Sequence, residues 1–286
     1  MATYTHHTAP TQFVEANGIR FAYRRFGIAG GVPLVFNMHF TGTIDHWDPA
    51  VTDGFAKDRE VILFDNAGVS SSSGEVPETI TGMASNAIAF IRALGLKHVD
   101  VLGFSIGGLV AQEIALQAPG LVRSLVLVGT GPRSGESMDT GTPEGKEIFG
   151  ATYAKPDDLW LRVHFTSSEA SQRAGAAFLE RSRRRVENRD PEVTQAAALR
   201  QRAAIAAWGA KRDKAWDYLK TIRQRTLVVN GSNDVIIYTV NSFILQQHLP
   251  NAKLILYPDS AHGSLFQYPQ MFVRDVAGFL NQEQWS

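Results

Sequence analysis

The chain has 286 residues, of which 44% are hydrophobic and 20% are charged, and its formal net charge is zero. This length suits one large domain with its own core, and the composition is typical of globular proteins. Balanced charge, without a basic stripe interleaved with aromatic residues, argues against nucleic acid as a partner. The chain has no cysteine, which excludes disulfides, thiolate catalysis and cysteine-ligated metals.

The N-terminal segment carries no recognisable export or membrane signal. Residues 1–11 are polar and lack a basic segment followed by an apolar one, and no apolar run approaches the ~20 residues that cross a bilayer. We therefore expect a cytoplasmic protein without membrane association. His6 and His7 could bind a metal, but the expectation is a frayed terminus. With no other metal-ligand cluster or phosphate loop, we expect neither metal nor cofactor.

The predicted elements begin with a hairpin and continue as strands alternating with helices. Residues 13–15 and 20–25 flank Asn17-Gly18, a dipeptide typical of a tight hairpin turn. Six further strands are predicted at 34–38, 61–64, 99–104, 125–128, 227–230 and 254–257, and helices at 80–94, 107–117, 240–249 and 270–280. Strands separated by helices indicate a mostly parallel sheet of eight strands in an α/β fold.

The alternation stops between residues 133 and 219, a segment rich in Ala, Arg, Glu and Gln. It reads as several helices inserted between two strands. We expect a helical cap at 133–219 over a core formed by 12–132 and 220–281. A separate helical domain is the alternative, although strands resume afterwards.

One turn has the pattern of a reactive serine. The run Gly103-Phe104-Ser105-Ile106-Gly107 follows an apolar strand and precedes a helix. Such a turn exposes the serine hydroxyl at the edge of a sheet, and glycines remove side chains where the turn crowds its neighbours. The amide after the serine and the helix N-terminus then favour a developing negative charge. The alternative is a glycine-rich strand–helix turn without chemistry.

This strand, G-x-S-x-G turn and helix resemble the α/β-hydrolase family, close to its esterase, lactonase and cofactor-free perhydrolase branch. The resemblance covers about residues 12–132 and 220–281. It implies a catalytic triad in the chain order Ser, Asp, His. A serine in place of an aspartate at the turn argues against the dehalogenase and epoxide-hydrolase branches.

The acid and base follow from that order. Asp234 comes after the predicted strand 227–230, where the family acid lies, and His262 lies in the loop after the last strand. Asn233 is the nearest polar rival, but an amide cannot stabilise an imidazolium comparably. Asp259 is a competing acid but is close to His262 in sequence. Ser105, Asp234 and His262 are thus the predicted catalytic residues.

The predicted oxyanion loop departs from the family pattern H-G-x-P-G. We align residues 37–47 with this pattern by matching Gly42 and Trp47, which places Phe40 at the position of the oxyanion residue. Phe40 and Ile106, the residue after the serine, are therefore predicted to form the oxyanion hole through their backbone amides. A shifted alignment would use Thr41. His39 occupies the position of the family glycine, so it either contributes a donor to the site or packs as a structural hydrogen-bonding residue.

Two features of the cap have alternative interpretations. The basic residues Arg181, Arg183, Arg184 and Arg185 could recognise an acidic substrate group, or lie on a solvated helix face. The aromatic residues could form a hydrophobic substrate pocket or the packing of the cap itself; they are Trp160, Phe165, Phe178, Trp208 and Trp216. The residues predicted to bind substrate are His39, Trp160 and Phe165.

Two glycine-containing segments carry no predicted chemistry. Residues 129–135 have the wrong spacing for a dinucleotide loop and contain a proline, and residues 65–70 match a D-x-x-G-x-S turn of the family that we take as structural.

The expected activity is hydrolysis of a small-molecule carboxylic ester or lactone through an acyl-enzyme on Ser105, without a cofactor. The same site could serve a perhydrolase (haloperoxidase-like) reaction or carbon–carbon bond hydrolysis, which peroxide dependence or turnover of a vinylogous diketone would reveal. A ligand receptor on this fold is the other class, and it would turn over very slowly.

Overall fold

The computed structural model describes residues 4–282, in which eight strands form one sheet. The strands are β1 (Gln12–Ala16), β2 (Ile19–Gly27), β3 (Leu34–Asn37), β4 (Glu60–Phe64), β5 (Val99–Phe104), β6 (Val122–Val128), β7 (Arg225–Gly231) and β8 (Ala252–Tyr257). Their spatial order is β1-β2-β4-β3-β5-β6-β7-β8. Only β2 runs antiparallel to its neighbours, since all pairs from β4 to β8 are parallel. The predicted eight-stranded, mostly parallel sheet is confirmed.

Ten α-helices accompany the sheet in the described chain. They are α1 (Pro49–Ala56), α2 (Ile80–Ala93), α3 (Ile106–Gln117), α4 (Pro143–Gly150), α5 (Pro156–His164), α6 (Glu169–Ser182), α7 (Gln195–Gly209), α8 (Val240–His248), α9 (Ser264–Gln267) and α10 (Pro269–Leu280). Two 3₁₀ helices lie at Ile44–His46 and Asp217–Thr221. The four helices predicted outside the cap are found, whereas α1 and α9 were not predicted.

The central strands are buried on both faces because helices cover each side of the sheet. Along β5 and β6, Val101 and Leu125 pack into one cluster with residues of α2 and α3. Leu102 and Val126, one position later, pack into a second cluster with residues of α1 and α10. Successive side chains of a strand point to opposite faces, so an unbroken apolar run is what such a sheet requires.

Helices α4 to α7 all lie between β6 and β7 in the chain, the segment expected to form a cap. Helix α6 packs against α1 and α9, and α7 packs against α2, so these helices contact the rest of the fold. We propose that residues 133–219 form the cap.

A buried ion cluster joins this segment to the sheet. The guanidinium of Arg24, fully buried on β2, bonds to Asp45 and lies 2.9 Å from Asp190 Oδ1. The amide of Asp45 donates to the Asp190 carboxylate (3.0 Å), and the amide of Asp190 donates to the Asp45 carboxylate (2.6 Å). Removing one partner of a buried ion pair leaves an uncompensated charge, so such a cluster tolerates little change.

The basic run of the cap has structural partners. Arg181 donates to the buried Asp48 carboxylate through two of its nitrogens, Nε and Nη2. Arg185, itself buried, donates to the carbonyls of His7 and Ala9. Arg183 and Arg184 form more exposed pairs with Asp157 and Glu180. These contacts hold the cap and the N-terminal segment in place.

The expectation of a frayed N-terminus is wrong for His6. Its side chain is 1% exposed, its Nδ1 lies 3.0 Å from Thr52 Oγ1, and its amide donates to Asp53 Oδ1 at 2.7 Å. Burial, reinforced by the nearby Arg24 guanidinium, lowers the pKa of His6 to about 3. No sequence periodicity signals this contact, because the partners lie on α1, more than forty residues away.

We predict that His6 makes the protein sensitive to acid. In the unfolded chain it binds a proton below about pH 6.5, whereas in the folded chain it stays neutral down to about pH 3. Unfolding then takes up a proton in this window, so stability is lost as the pH falls. His6→Gln should reduce the slope of the free energy of unfolding against pH, between about pH 6 and 4, by about 1.4 kcal/mol per pH unit.

Urea unfolding at a series of pH values measures this slope. His98→Gln, at an exposed histidine, is the control and should leave the slope unchanged. A His6→Gln protein with the wild-type slope would contradict the prediction.

Candidate active site

Ser105 sits on a strained turn between β5 and α3. Its φ and ψ are 57° and −122°, a left-handed conformation that a residue with a side chain rarely adopts. A Cβ on Gly103 would lie 2.2 Å from the Gly107 carbonyl oxygen, and one on Gly107 would lie 2.0 Å from the Asn37 carbonyl oxygen. Both glycines are therefore required by close backbone approach, which accounts for the G-x-S-x-G pattern.

Asp234 and His262 are hydrogen-bonded to each other in the loops that follow β7 and β8. His262 Nδ1 lies 2.8 Å from Asp234 Oδ2, and both side chains are buried. The other oxygen, Asp234 Oδ1, accepts from the amides of Ile236 (2.9 Å) and Ile237 (3.0 Å). An ionised carboxylate held this way orients the imidazole with its proton on Nδ1 and leaves Nε2 available as a base.

The two rival residues point elsewhere. Asn233 Oδ1 accepts from the Ser232 hydroxyl. Asp259 accepts from the hydroxyls of Thr166 and Ser168, near the start of α6, and not from His262. The pairing therefore favours Asp234 as the partner of the histidine.

Ser105 and His262 line the same cavity. Within residues 4–282 no hydrogen bond joins the serine hydroxyl to the imidazole. Contacts between a nucleophile and its base are often long without substrate and tighten when it binds.

The backbone amides of Phe40 and Ile106 have no hydrogen-bond acceptor within residues 4–282. Ile106 is the first residue of α3, so its N–H has no acceptor inside the helix. The amide of Phe40 has no hydrogen-bond partner in the described part of the chain. In contrast, the amide of Thr41 donates to Gln201 Oε1 at 2.9 Å. This arrangement favours Phe40 over the alternative Thr41.

His39 is buried beside this loop and is neutral. Its Nδ1 lies 2.8 Å from the Phe40 carbonyl oxygen, which can only accept, so Nδ1 carries the proton. Burial lowers the pKa of His39 to about 3, and the neighbouring His46 imidazole lowers it in the same direction. Gly42 leaves room for the ring, because a Cβ there would lie 2.9 Å from His39 Cε1. The contact with Phe40 favours a positioning role over a donor to the substrate.

Two further histidines, His46 and His164, belong to the same cluster of rings and were not singled out from the sequence. The His164 ring is nearly parallel to that of His262, with centroids 5.8 Å apart, and its carbonyl accepts from the Gly263 amide at 2.9 Å. Burial lowers the pKa of His164 well below its usual value, and the other imidazoles add to this effect. The sequence could have indicated His164, because this residue follows Trp160 by four positions in α5 and that spacing places both on one helix face.

Of the residues predicted to bind substrate, His39 and Trp160 line a cavity beside Ser105. Phe165 does not: it packs against Phe178 and Gly175 inside the protein and lines neither of the cavities that reach Ser105. The helical periodicity could not distinguish these orientations, because Phe165 lies at the C-terminal end of α5, where the helical pattern stops.

Two cavities meet at Ser105. One, of about 520 Å³, extends past Met138 and is called here the Met138 cavity. The other, of about 450 Å³, extends past His164 and is called the His164 cavity. Both are lined in part by Phe40, Ser105, Phe149, Arg202 and Ile236. Their volumes are typical of small-molecule sites.

Neither a membrane helix nor a metal centre is found in the described range 4–282. None of its helices combines the length and hydropathy needed to cross a bilayer. No group of three or more His, Asp or Glu side chains there is arranged to hold a metal ion.

Four features are those of an α/β-hydrolase: the sheet order, the strained serine turn after β5, the acid after β7 and the histidine after β8. A family model described as the alpha/beta hydrolase fold matches residues 32–269, most of the chain. The chain belongs to this family.

The chain is similar to a solved structure named only for its fold and to relatives named for carbamate and ester hydrolysis. An alpha/beta hydrolase fold protein from Chitinophaga pinensis superposes with a TM-score of 0.92 at 40% identity, over 98% of this chain and 100% of that one. RutD of Rhizobium rhizogenes, provisionally named a carbamate hydrolase, is 27% identical over 86% of this chain and 92% of its own length. A pimeloyl-[acyl-carrier protein] methyl ester esterase of Nitrosomonas europaea is 32% identical over 61% of this chain and 68% of its own.

We predict that the fold requires glycine at position 107, where the backbone of α3 approaches the Asn37 carbonyl oxygen. Gly107→Ala places a methyl group against the Asn37 carbonyl oxygen, so it should lower the free energy of unfolding by about 3 kcal/mol or more. Gly278→Ala, on α10 with nothing within 4 Å of the added carbon, should be neutral or stabilising by up to about 1 kcal/mol. Urea unfolding compares the two, and equal stability of both variants would contradict the prediction.

Proposed function

We propose that this protein hydrolyses a small-molecule carboxylic ester or lactone through an acyl-enzyme on Ser105, without a cofactor. The observation that carries the proposal is the buried Asp234–His262 pair, whose imidazole lines the cavity that contains Ser105. The names of the relatives, which specify ester and carbamate hydrolysis, support the same chemistry.

In the first half of the reaction, the Ser105 hydroxyl attacks the carbonyl carbon and gives its proton to His262 Nε2. The carbonyl oxygen becomes an oxyanion that the amides of Phe40 and Ile106 stabilise. Removing one such donor typically costs 10²–10³-fold in rate. The imidazolium then protonates the leaving alkoxide, and the C–O bond breaks to give the acyl-enzyme.

In the second half, His262 takes a proton from water as the water oxygen attacks the acyl carbon. The bond from that carbon to Ser105 Oγ then breaks, the imidazolium returns the proton to Oγ, and the acid is released. Throughout, the Asp234 carboxylate stabilises the transient imidazolium. The amides of Ile236 and Ile237 hold the carboxylate still, so little reorganisation is needed as charge develops.

Hydrolysis of a carbamate ester is the second candidate, supported by similarity to RutD over most of both chains. The carbon attacked and the protons moved are the same, so ester and carbamate substrates compete for one serine. Relative kcat/KM on matched esters and carbamates distinguishes the candidates.

We predict a burst of 4-nitrophenol equal to the enzyme concentration when 4-nitrophenyl acetate is added, because acylation of Ser105 precedes slower hydrolysis. A fluorophosphonate should add one mass increment, located on Ser105 by peptide mapping. Ser105→Ala should lose both the burst and the label and lower kcat by at least about 10⁴-fold. His98→Ala, at an exposed histidine, is the control. A wild-type protein that shows neither burst nor label refutes the proposed function.

A second prediction concerns His39 as a positioning residue for Phe40. His39→Ala removes the hydrogen bond to the Phe40 carbonyl. On methyl acetate, whose alcohol portion is too small to pack against the lost ring, it should lower kcat about tenfold with little change in KM, because the oxyanion donor is disturbed mainly in the transition state. His39→Asn, whose amide can donate similarly, should recover part of kcat. Unchanged kcat in the alanine variant, or a change confined to KM, would count against this role.

A further inference from the structure

The two cavities at Ser105 differ in which catalytic group lines them. His262 lines the His164 cavity and is absent from the walls of the Met138 cavity. Ile106, whose amide is the proposed oxyanion donor, lines the Met138 cavity and is absent from the walls of the His164 cavity. The base and the Ile106 donor thus line different cavities, whereas Phe40, the other proposed oxyanion donor, lines both.

This asymmetry decides how an ester lies in the site, on the basis of the proposed function. After attack, the reacting carbon carries the serine oxygen, the oxyanion, the acyl chain and the leaving oxygen. The leaving oxygen receives its proton from His262, so it must come within about 2.6–3.2 Å of the imidazole. The alcohol portion attached to that oxygen then extends into the cavity that His262 lines, and the acyl chain takes the remaining direction.

We propose that the Met138 cavity binds the acyl chain and that the His164 cavity binds the alcohol portion of the substrate. The leaving alcohol departs through the His164 cavity, and the hydrolytic water enters beside His262 from the same side.

The walls of each cavity indicate the chemistry of the group it binds. The side chains of Leu109, Met138, Ile205 and Ile237 form an apolar part of the wall of the Met138 cavity, beside polar residues such as Asp139 and Lys146. The apolar part suits an alkyl chain. The His164 cavity is bounded by the rings of His39, Trp160 and His164, which suit a flat aromatic alcohol. The substrate class is thus an ester of an apolar acid with an aromatic alcohol.

Helix α7 offers a matched pair of positions for testing this assignment. Ala206 lines the Met138 cavity and Ala198 lines the His164 cavity. The same substitution, Ala→Phe, on the same helix therefore obstructs one cavity or the other. Ala206→Leu and Ala198→Leu, with smaller added side chains, serve if either phenylalanine variant folds poorly by circular dichroism.

Two substrate series separate the two portions of the ester. Methyl esters from acetate to decanoate vary the acyl chain, and acetates of methanol and 2-naphthol vary the alcohol, with acid release followed by titration. Ala206→Phe should lower the decanoate-to-acetate ratio of kcat/KM about tenfold and leave the naphthyl-to-methyl ratio unchanged. Ala198→Phe should do the reverse. Comparing each ratio with that of the wild type cancels intrinsic ester reactivity.

The crossed pattern supports the assignment. The opposite pattern overturns it, as does an equal effect of both variants on both series or no effect of either on any ratio. The failure of this inference differs from the failure of the proposed function: in the latter case the wild-type protein neither turns over these esters nor labels at Ser105.

Discussion

The contact between α3 and the end of β3, where Gly107 meets the Asn37 carbonyl, is the constraint on which the site depends. With no side chain at Gly107 or Gly103, the helix begins directly beside the strands. The strained conformation of Ser105 follows, since the chain must turn from β5 into α3 within one residue. Phe40, in the loop after β3, and Ile106, the first residue of α3, line the same cavity. A single packing contact thus constrains both Ser105 and the residues proposed as oxyanion donors.

A second set of contacts couples the proposed cap to that loop. Asp45, in the 3₁₀ helix a few residues after Phe40, exchanges hydrogen bonds with Asp190 of the segment between α6 and α7. Gln201 of α7 accepts from the Thr41 amide in the same loop. Because the Arg24 charge is buried between the two carboxylates, separating the cap from the core would expose unpaired charges. These contacts therefore resist movement of the proposed cap relative to the loop that contains Phe40.

The sequence predicted what depends on local pattern. The strand runs, the Asn17-Gly18 turn and the G-x-S-x-G turn act over a few residues, so periodicity and glycine placement were sufficient. Helix α1 was missed although Asp48 caps it and Pro49 begins it, because the helix is short. The Arg24–Asp190 pair joins residues 166 positions apart, and the burial of His6 and the orientation of Phe165 depend equally on distant neighbours. Such pairings leave no periodic trace in the sequence.

The histidines around the site illustrate how environment assigns different roles to one residue type. His262 has a carboxylate partner that stabilises its charged form, and it lies beside Ser105, so it can accept and return a proton. His39 and His164 have no such partner, and burial lowers the pKa of each. They stay neutral near pH 7, so they do not compete for the proton that the proposed mechanism transfers to His262, and they add no fixed positive charge beside it. Rings that remain neutral can form the wall of the proposed alcohol cavity without changing the charge around the proposed base.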